Sequence, residues 1–230
     1  MGKCGHAGLR YWLTLAVAAV SVGCGDARDT GLAGNDLRRP PERAADVRPA
    51  IVFLGTSLTA GYGLPSDQAY PALLQERLDA EALDYRVVNA GVSGDTSAGG
   101  LRRVDWLLRL PVRVLVIELG ANDMLRGLDV PSLRRNLAEI VARTRSAHPD
   151  ARILIAGMRA APNLGRDYVT AFEAVFPAFA REHEAALVPF LLEGVAAEPA
   201  LNQPDGIHPN AAGHRRVADN VWPVLRDVLP

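Results

Sequence analysis

Ile51-Val52-Phe53-Leu54-Gly55-Thr56-Ser57-Leu58-Thr59-Ala60-Gly61-Tyr62-Gly63 opens as a short apolar run and then breaks into a turn of Gly, Ser and Thr. An apolar run of that length is the mark of a buried strand, and small residues mark the turn that follows it. Ser57 is thereby set just past the carboxyl end of a strand, among neighbours small enough for a ligand to reach the backbone. A serine in that position either caps the next helix or, given a base and oxyanion donors, acts as a nucleophile. The segment alone leaves both roles open.

Outward from this stretch the chain alternates. Strand-like runs are expected at 51–54, 86–89, 112–119, 152–156 and 186–190. Helical spacing lies between them, over 70–82, at Leu101, Val104 and Leu108, at Leu133, Leu137, Ile140 and Val141, and over 168–184. A last helix is expected to start at Asn210 as cap and to show Val217, Val221, Val224 and Leu225 on one face, with Pro223 kinking or ending it. Strict alternation predicts an α/β domain with a five-stranded parallel sheet and helices on both sides. In such sheets ligands bind beyond the carboxyl ends of the strands, so the polar loops at 55–63, 90–100 and 120–127 are expected at one edge.

Those loops carry the chemistry. Ser93-Gly94-Asp95-Thr96 closes a strand and opens a helix, so the Gly94 N–H either points at an anion or belongs to an ordinary start capped by Asp95 or Thr96. Asn122, after Gly120-Ala121, is either a donor into the crevice or an Asx-turn residue. In Asp205-Gly206-Ile207-His208 a carboxylate three residues before a histidine can take the Nδ1 proton and leave Nε2 free as a base. Among the other histidines, His6 lies near the amino terminus, His148 and His183 end helices, and His214 sits on the last helix as a solvated or packed residue.

Together the four segments resemble, in order and content, the SGNH hydrolases, also called the GDSL lipase/esterase family. Gly55-Thr56-Ser57-Leu58 matches its nucleophile block, Gly94 its glycine block, Gly120-Ala121-Asn122-Asp123 its asparagine block, and Asp205-Gly206-Ile207-His208 its Asp-x-x-His block. The Ser93–Ser97 and Asn122–Gly127 segments are most similar to the bacterial thioesterase/lysophospholipase/arylesterase group. The resemblance implies a three-layer, flavodoxin-like fold, a Ser57–His208–Asp205 triad, and an oxyanion hole of the Ser57 and Gly94 N–H groups with the Asn122 side chain. It implies neither metal nor cofactor, and a small acyl ester or thioester as substrate, lysophospholipid included. Acyl transfer by the same triad is the alternative, and a non-catalytic flavodoxin-like binding module ranks below it. Thr56 stands where the family usually has an acid, and Thr59 stands where the Gly-x-Ser-x-Gly elbow of α/β-hydrolases would have its second glycine. The loops at 124–128 and 159–166 are expected to line an acyl pocket, with Met124, Leu125, Arg126, Leu128 and Arg159 as the binding residues.

The domain is expected to span 50–230 of the 230 residues, behind two segments of another kind. Lys3 and Arg10 precede an apolar run at 11–22, too short to cross a bilayer but suited to a signal-peptide core. Ser21-Val22-Gly23-Cys24 resembles the bacterial lipoprotein signal, with Ser21 where leucine is usual. Residues 1–24 are therefore read as a signal peptide ending at a lipidated Cys24, with ordinary secretory cleavage or an uncleaved anchor as alternatives. The expectation is an exported protein, lipid-anchored to a bacterial membrane and facing the periplasm or the cell exterior. Residues 25–49, rich in Asp, Arg, Gly and Pro without apolar periodicity, read as a flexible linker. Cys4 and Cys24 are the two cysteines, so the domain has no thiol for a disulfide or a nucleophile. A net charge of -1 gives no reason to expect nucleic acid as a partner.

Overall fold

The computed structural model describes residues 46–229. The signal segment, Cys24 and the linker up to residue 45 lie outside the described residues. In chain order the strands and α-helices are β1 (Ala50–Gly55), α1 (Ser57–Ala60), α2 (Tyr70–Ala80), β2 (Arg86–Gly91), α3 (Ser97–Leu107) and β3 (Val112–Ile117). They continue with α4 (Ala121–Leu125), α5 (Val130–Ala147), β4 (Arg152–Ala156), α6 (Arg166–Glu182), β5 (Ala186–Val188) and α7 (Ala211–Val228).

The five strands form one sheet, ordered β2-β1-β3-β4-β5 and parallel at every pairing. β1 is buried along its whole length, as its unbroken apolar run requires of a strand covered on both faces. Connections between parallel strands are right-handed. The step from β1 to β2 goes one way across the sheet, and the later steps go the other, so α2 must cover one face and α3, α5 and α6 the opposite face. The packing agrees: α2 touches α7, while α3 touches α5 and α5 touches α6. The chain reverses direction at β1, between β2 and β3, and a ligand crevice belongs outside the carboxyl ends of the strands at such a switch point. The expected fold class stands.

Several boundaries differ from the sequence expectation. β3 stops at Ile117 rather than at 119: its neighbour β1 ends at Gly55, and Gly120, with a φ of 117°, turns the chain into α4. β5 stops at Val188, where Pro189 has no N–H to give a ladder. Pro223 does not end the last helix, which runs through it to Val228 and keeps Val217, Val221 and Leu225 buried. Asn210 caps that helix as expected, its Oδ1 accepting from the N–H groups of Ala212 and Gly213 at 2.9 and 3.0 Å.

Candidate active site

The turn after β1 is set by close packing. A Cβ on Gly55 would lie 2.0 Å from Thr59 Oγ1 and 2.7 Å from Glu118 Oε2, so only glycine lets the strand end this near the turn. Thr56 is extended and caps the four-residue helix α1, whose first residue is Ser57 and whose C-cap is Gly61 in the left-handed region. Ser57 is half-buried and faces the crevice.

The Asp205–His208 loop arrives from the far end of the chain. Gln203 ties it down, its side-chain amide donating to the Tyr62 carbonyl at 2.6 Å, and the Tyr62 ring lies 4.6 Å from that of His208. His208 Nε2 is 2.9 Å from Ser57 Oγ, and His208 Nδ1 is 2.7 Å from Asp205 Oδ2. Asp205 Oδ1 accepts from the backbone N–H groups of Ile207 and His208 at 2.9 and 3.0 Å. The backbone and ring N–H groups of His208, then that of Ile207, hold the Asp205 carboxyl down to about 2, so it is charged at any working pH.

The loops after β2 and β3 supply the donors. Gly94 takes a φ of 79°, which favours glycine, and its carbonyl accepts from the Arg126 guanidinium at 2.8 Å. Asn122, in the first turn of α4, donates through Nδ2 to the Asp95 carbonyl at 3.0 Å. An amide nitrogen carries two hydrogens, so one remains for the crevice. Among the described residues, neither the Ser57 nor the Gly94 backbone N–H donates to a protein acceptor. The two loops are braced below the surface: the Asp123 carboxylate accepts from Ser97 N at 2.8 Å and from Ser97 Oγ at 2.6 Å. Arg103 joins the loop after β2 to the sheet through Asp95 at 2.8 Å and through the carbonyls of Ala90 and Gly55 at 2.6 and 2.9 Å.

Ser57, Gly94, Asn122 and His208 share a cavity of about 620 Å³ whose other walls are mainly apolar, with Leu58, Met158, Phe190 and Leu192 among them. Of the pocket residues expected from sequence, Met124, Leu125 and Arg159 line this cavity, and Arg126 and Leu128 do not. Arg126 is turned to the Gly94 carbonyl instead, and Leu128 offers its own carbonyl to the Tyr168 hydroxyl at 2.9 Å. Within 159–166, only Arg159, Ala160 and Ala161 reach it. The Arg159 guanidinium lies 4.4 Å from the centre of the Phe190 ring, beside Glu193 at 3.3 Å.

Two buried titratable groups lie beneath the site: Glu118, which no motif singles out, and His214, which is packed rather than solvated. Glu118 is wholly buried, and burial pushes its carboxyl up to about 7 against the pull of its hydrogen bonds to Thr56 and Thr59. His214, also buried, accepts from the Tyr70 N–H at Nδ1 (3.2 Å), and burial lowers its ring to about 4. A lone carboxylate inside the apolar run at 112–119 was the visible signal for Glu118.

These two groups act oppositely on stability. Glu118 rises from 4.5 in the unfolded chain, so its contribution is fully present below 4.5 and is lost as pH rises to about 7. His214 falls from 6.5, so its contribution is lost as pH drops from 6.5 to about 4. At roughly 1.4 kcal/mol per pH unit, each is worth on the order of 3 kcal/mol over its window, and between 4.5 and 6.5 they cancel. Urea unfolding at the two ends of that window should therefore show Glu118→Gln gaining stability as pH rises. His214→Asn, which keeps an acceptor for Tyr70, should lose stability as pH rises. A flat response in both variants would contradict the assignment.

With this geometry in place, the likenesses to known proteins are informative. Residues 53–216 match the model of the GDSL-like Lipase/Acylhydrolase family. Esterase TesA of Pseudomonas aeruginosa is 46% identical over 180 residues, covering 78% of this chain and 89% of that protein. The thioesterase 1/protease 1/lysophospholipase L1 of Escherichia coli is 39% identical over 170 residues, covering 74% and 79%. The crystal structure of the psychrotrophic esterase EstA from Pseudoalteromonas sp., inhibited by monoethylphosphonate, superposes with a TM-score of 0.73 at 34% identity, covering 77% of this chain and 97% of EstA. The chain belongs to the GDSL-like lipase/acylhydrolase family of carboxylic ester hydrolases.

Proposed function

We propose that the chain is a serine hydrolase in which Ser57 Oγ attacks the carbonyl of an ester or thioester. The observation that carries the reading is the hydrogen-bonded line Ser57–His208–Asp205 opening into an apolar cavity. As the bond from Oγ to the carbonyl carbon forms, the hydroxyl proton passes to His208 Nε2 and the carbonyl oxygen becomes an oxyanion. Asp205, ionised, holds the ring with Nδ1 protonated and stabilises the imidazolium. The imidazolium then gives its proton to the departing oxygen or sulfur, and water repeats the sequence on the acyl-enzyme. The free N–H groups of Ser57 and Gly94 and the remaining hydrogen of the Asn122 amide are suited to the oxyanion.

The apolar walls favour an acyl chain over a sugar. The relatives' names, esterase, thioesterase and lysophospholipase, suggest the range of leaving groups to try. Hydrolysis of p-nitrophenyl esters of increasing acyl length, with mass spectrometry of a phosphonate adduct on Ser57, is the test. No hydrolysis, or an adduct elsewhere, would refute the assignment. Asn122→Ala should lower kcat by roughly 10²–10³-fold with little change in KM, since an oxyanion donor acts mainly in the transition state. Near-normal kcat would make Asn122 a turn residue only.

We further propose export and a lipid anchor at Cys24, supported by the apolar run at 11–22 and by Ser21-Val22-Gly23-Cys24. Mass spectrometry of the native amino terminus should find Cys24 first and acylated. An unmodified start elsewhere would refute it.

A further inference from the structure

The backbone N–H of Ser57 is free, and something must hold it so. A helix leaves its first amides without intrahelical partners, and α1 has only four residues with which to fix its own geometry. Glu118 takes the amides on either side of the serine. Its Oε2 accepts from Thr56 N at 2.7 Å and Thr59 N at 3.2 Å. Both threonine hydroxyls reach it too, Thr56 Oγ1 at 3.0 Å from each carboxylate oxygen and Thr59 Oγ1 at 2.8 Å from Oε2. Ser57 itself makes no bond to the carboxylate.

The reach comes from the sheet. β3 lies beside β1 with Ile117 opposite Leu54, and the Glu118 N–H donates to the Leu54 carbonyl at 2.9 Å. The first residue beyond β3 is thus level with the nucleophile turn. Behind Thr59 stands the fully buried Tyr70 of α2, its hydroxyl 2.8 Å from Thr59 Oγ1 and its ring edge-on to Phe53 at 5.6 Å. The other ionisable groups around this knot are His214 of α7, stacked on Tyr70, and Arg103 of α3, bonded to the Gly55 carbonyl. Two of the four donors on Glu118 are backbone N–H groups, which can only donate, so the carboxylate serves as acceptor.

We propose that Glu118 is a positioning residue for the nucleophile: by binding the amides and hydroxyls of Thr56 and Thr59, it sets the Ser57 hydroxyl against His208 and leaves the Ser57 N–H for the oxyanion. The proposal rests on Ser57 being the nucleophile, and it assigns Thr56 a task as well, that of donor to Glu118.

Steady-state kinetics, with the rate of phosphonate labelling of Ser57, tests it on the full chain. Glu118→Ala orphans four buried donors. A displacement of about 1 Å at a reacting group costs on the order of 10²-fold, so kcat and the labelling rate should fall by about that factor with KM nearly unchanged. Glu118→Gln can turn its oxygen to Thr56 N, Thr59 N and Thr59 Oγ1 and its amide to Thr56 Oγ1, so it should stay within about tenfold of wild type. Should Glu118→Ala not fold, Thr56 decides the matter. Thr56→Ser keeps the donor and should be near wild type, while Thr56→Val, of the same shape, should lose about tenfold in kcat. Folded Glu118→Ala or Thr56→Val with wild-type kcat and labelling rate, or a loss confined to KM, would overturn the proposal. Wild-type protein that is not labelled at Ser57 would instead refute the nucleophile assignment beneath it.

Discussion

Ser57→Ala should lower kcat by about 10⁶-fold on any ester that the wild type cleaves, the scale set by removing a serine nucleophile that acts as one unit with its base. KM should hardly move. The alanine leaves the apolar cavity walls as they are, and the lost hydroxyl makes one polar contact to the rest of the chain, 2.9 Å to His208 Nε2. The half-buried ring can take water in its place, so the melting temperature should stay close to that of the wild type. Steady-state kinetics on one chromogenic ester, with intact-mass analysis after phosphonate treatment, is sufficient. The variant should carry no adduct. Retention of more than about a hundredth of the activity would point to another hydroxyl, and Ser93, which also lines the cavity, would be the one to replace next.

The fold could be read because its signals are local. An unbroken apolar run such as that of β1 has few uses other than a strand covered on both faces, and Asn210 before a helical pattern declares its cap. The four polar blocks were equally plain, since each chemical group sits in a short stretch of fixed spacing. What stayed hidden depends on contacts between distant segments. Glu118 sits in an apolar run, and nothing in its neighbours says that Thr56 and Thr59, some sixty positions away, will satisfy it. Thr56 itself looked like a departure from the family pattern. Beside Glu118 it is a donor, whereas an acid at that position would set a second carboxylate against the first. Two such groups cannot both ionise at contact. The cavity walls at Met158 and Leu192 come from loops with no periodicity, and Phe190 stands at the end of an expected strand that stops short of it, so none of the three is marked as pocket lining by sequence. Arg126 and Leu128 were assigned to the pocket by nearness to Met124 in sequence, but α4 ends at Leu125 and the chain turns away there.

Asp205→Asn should reduce kcat on the order of 10⁴-fold while the loop keeps its shape. The reason lies in how the carboxylate divides its work. Oδ1 accepts from the backbone N–H groups of Ile207 and His208, and an asparagine oxygen can stay in that place. The amide nitrogen then replaces Oδ2, 2.7 Å from His208 Nδ1. It has hydrogens and no acceptor, so Nδ1 must give up its proton and accept. The imidazole proton moves to Nε2, facing Ser57 Oγ across 2.9 Å. In that tautomer the ring donates to the serine and cannot take its proton, and no neighbouring charge remains to stabilise an imidazolium. Acyl transfer fails at its first step although every heavy atom is nearly in position. Binding should be spared, so the loss should fall on kcat rather than KM, with circular dichroism and melting temperature unchanged. Asp205→Ala separates orientation from tautomer: it frees the ring to choose either form but also removes the acceptor for both backbone N–H groups, so it should loosen the loop as well. Asp205→Asn retaining more than about a tenth of wild-type kcat would mean that another group fixes the His208 proton.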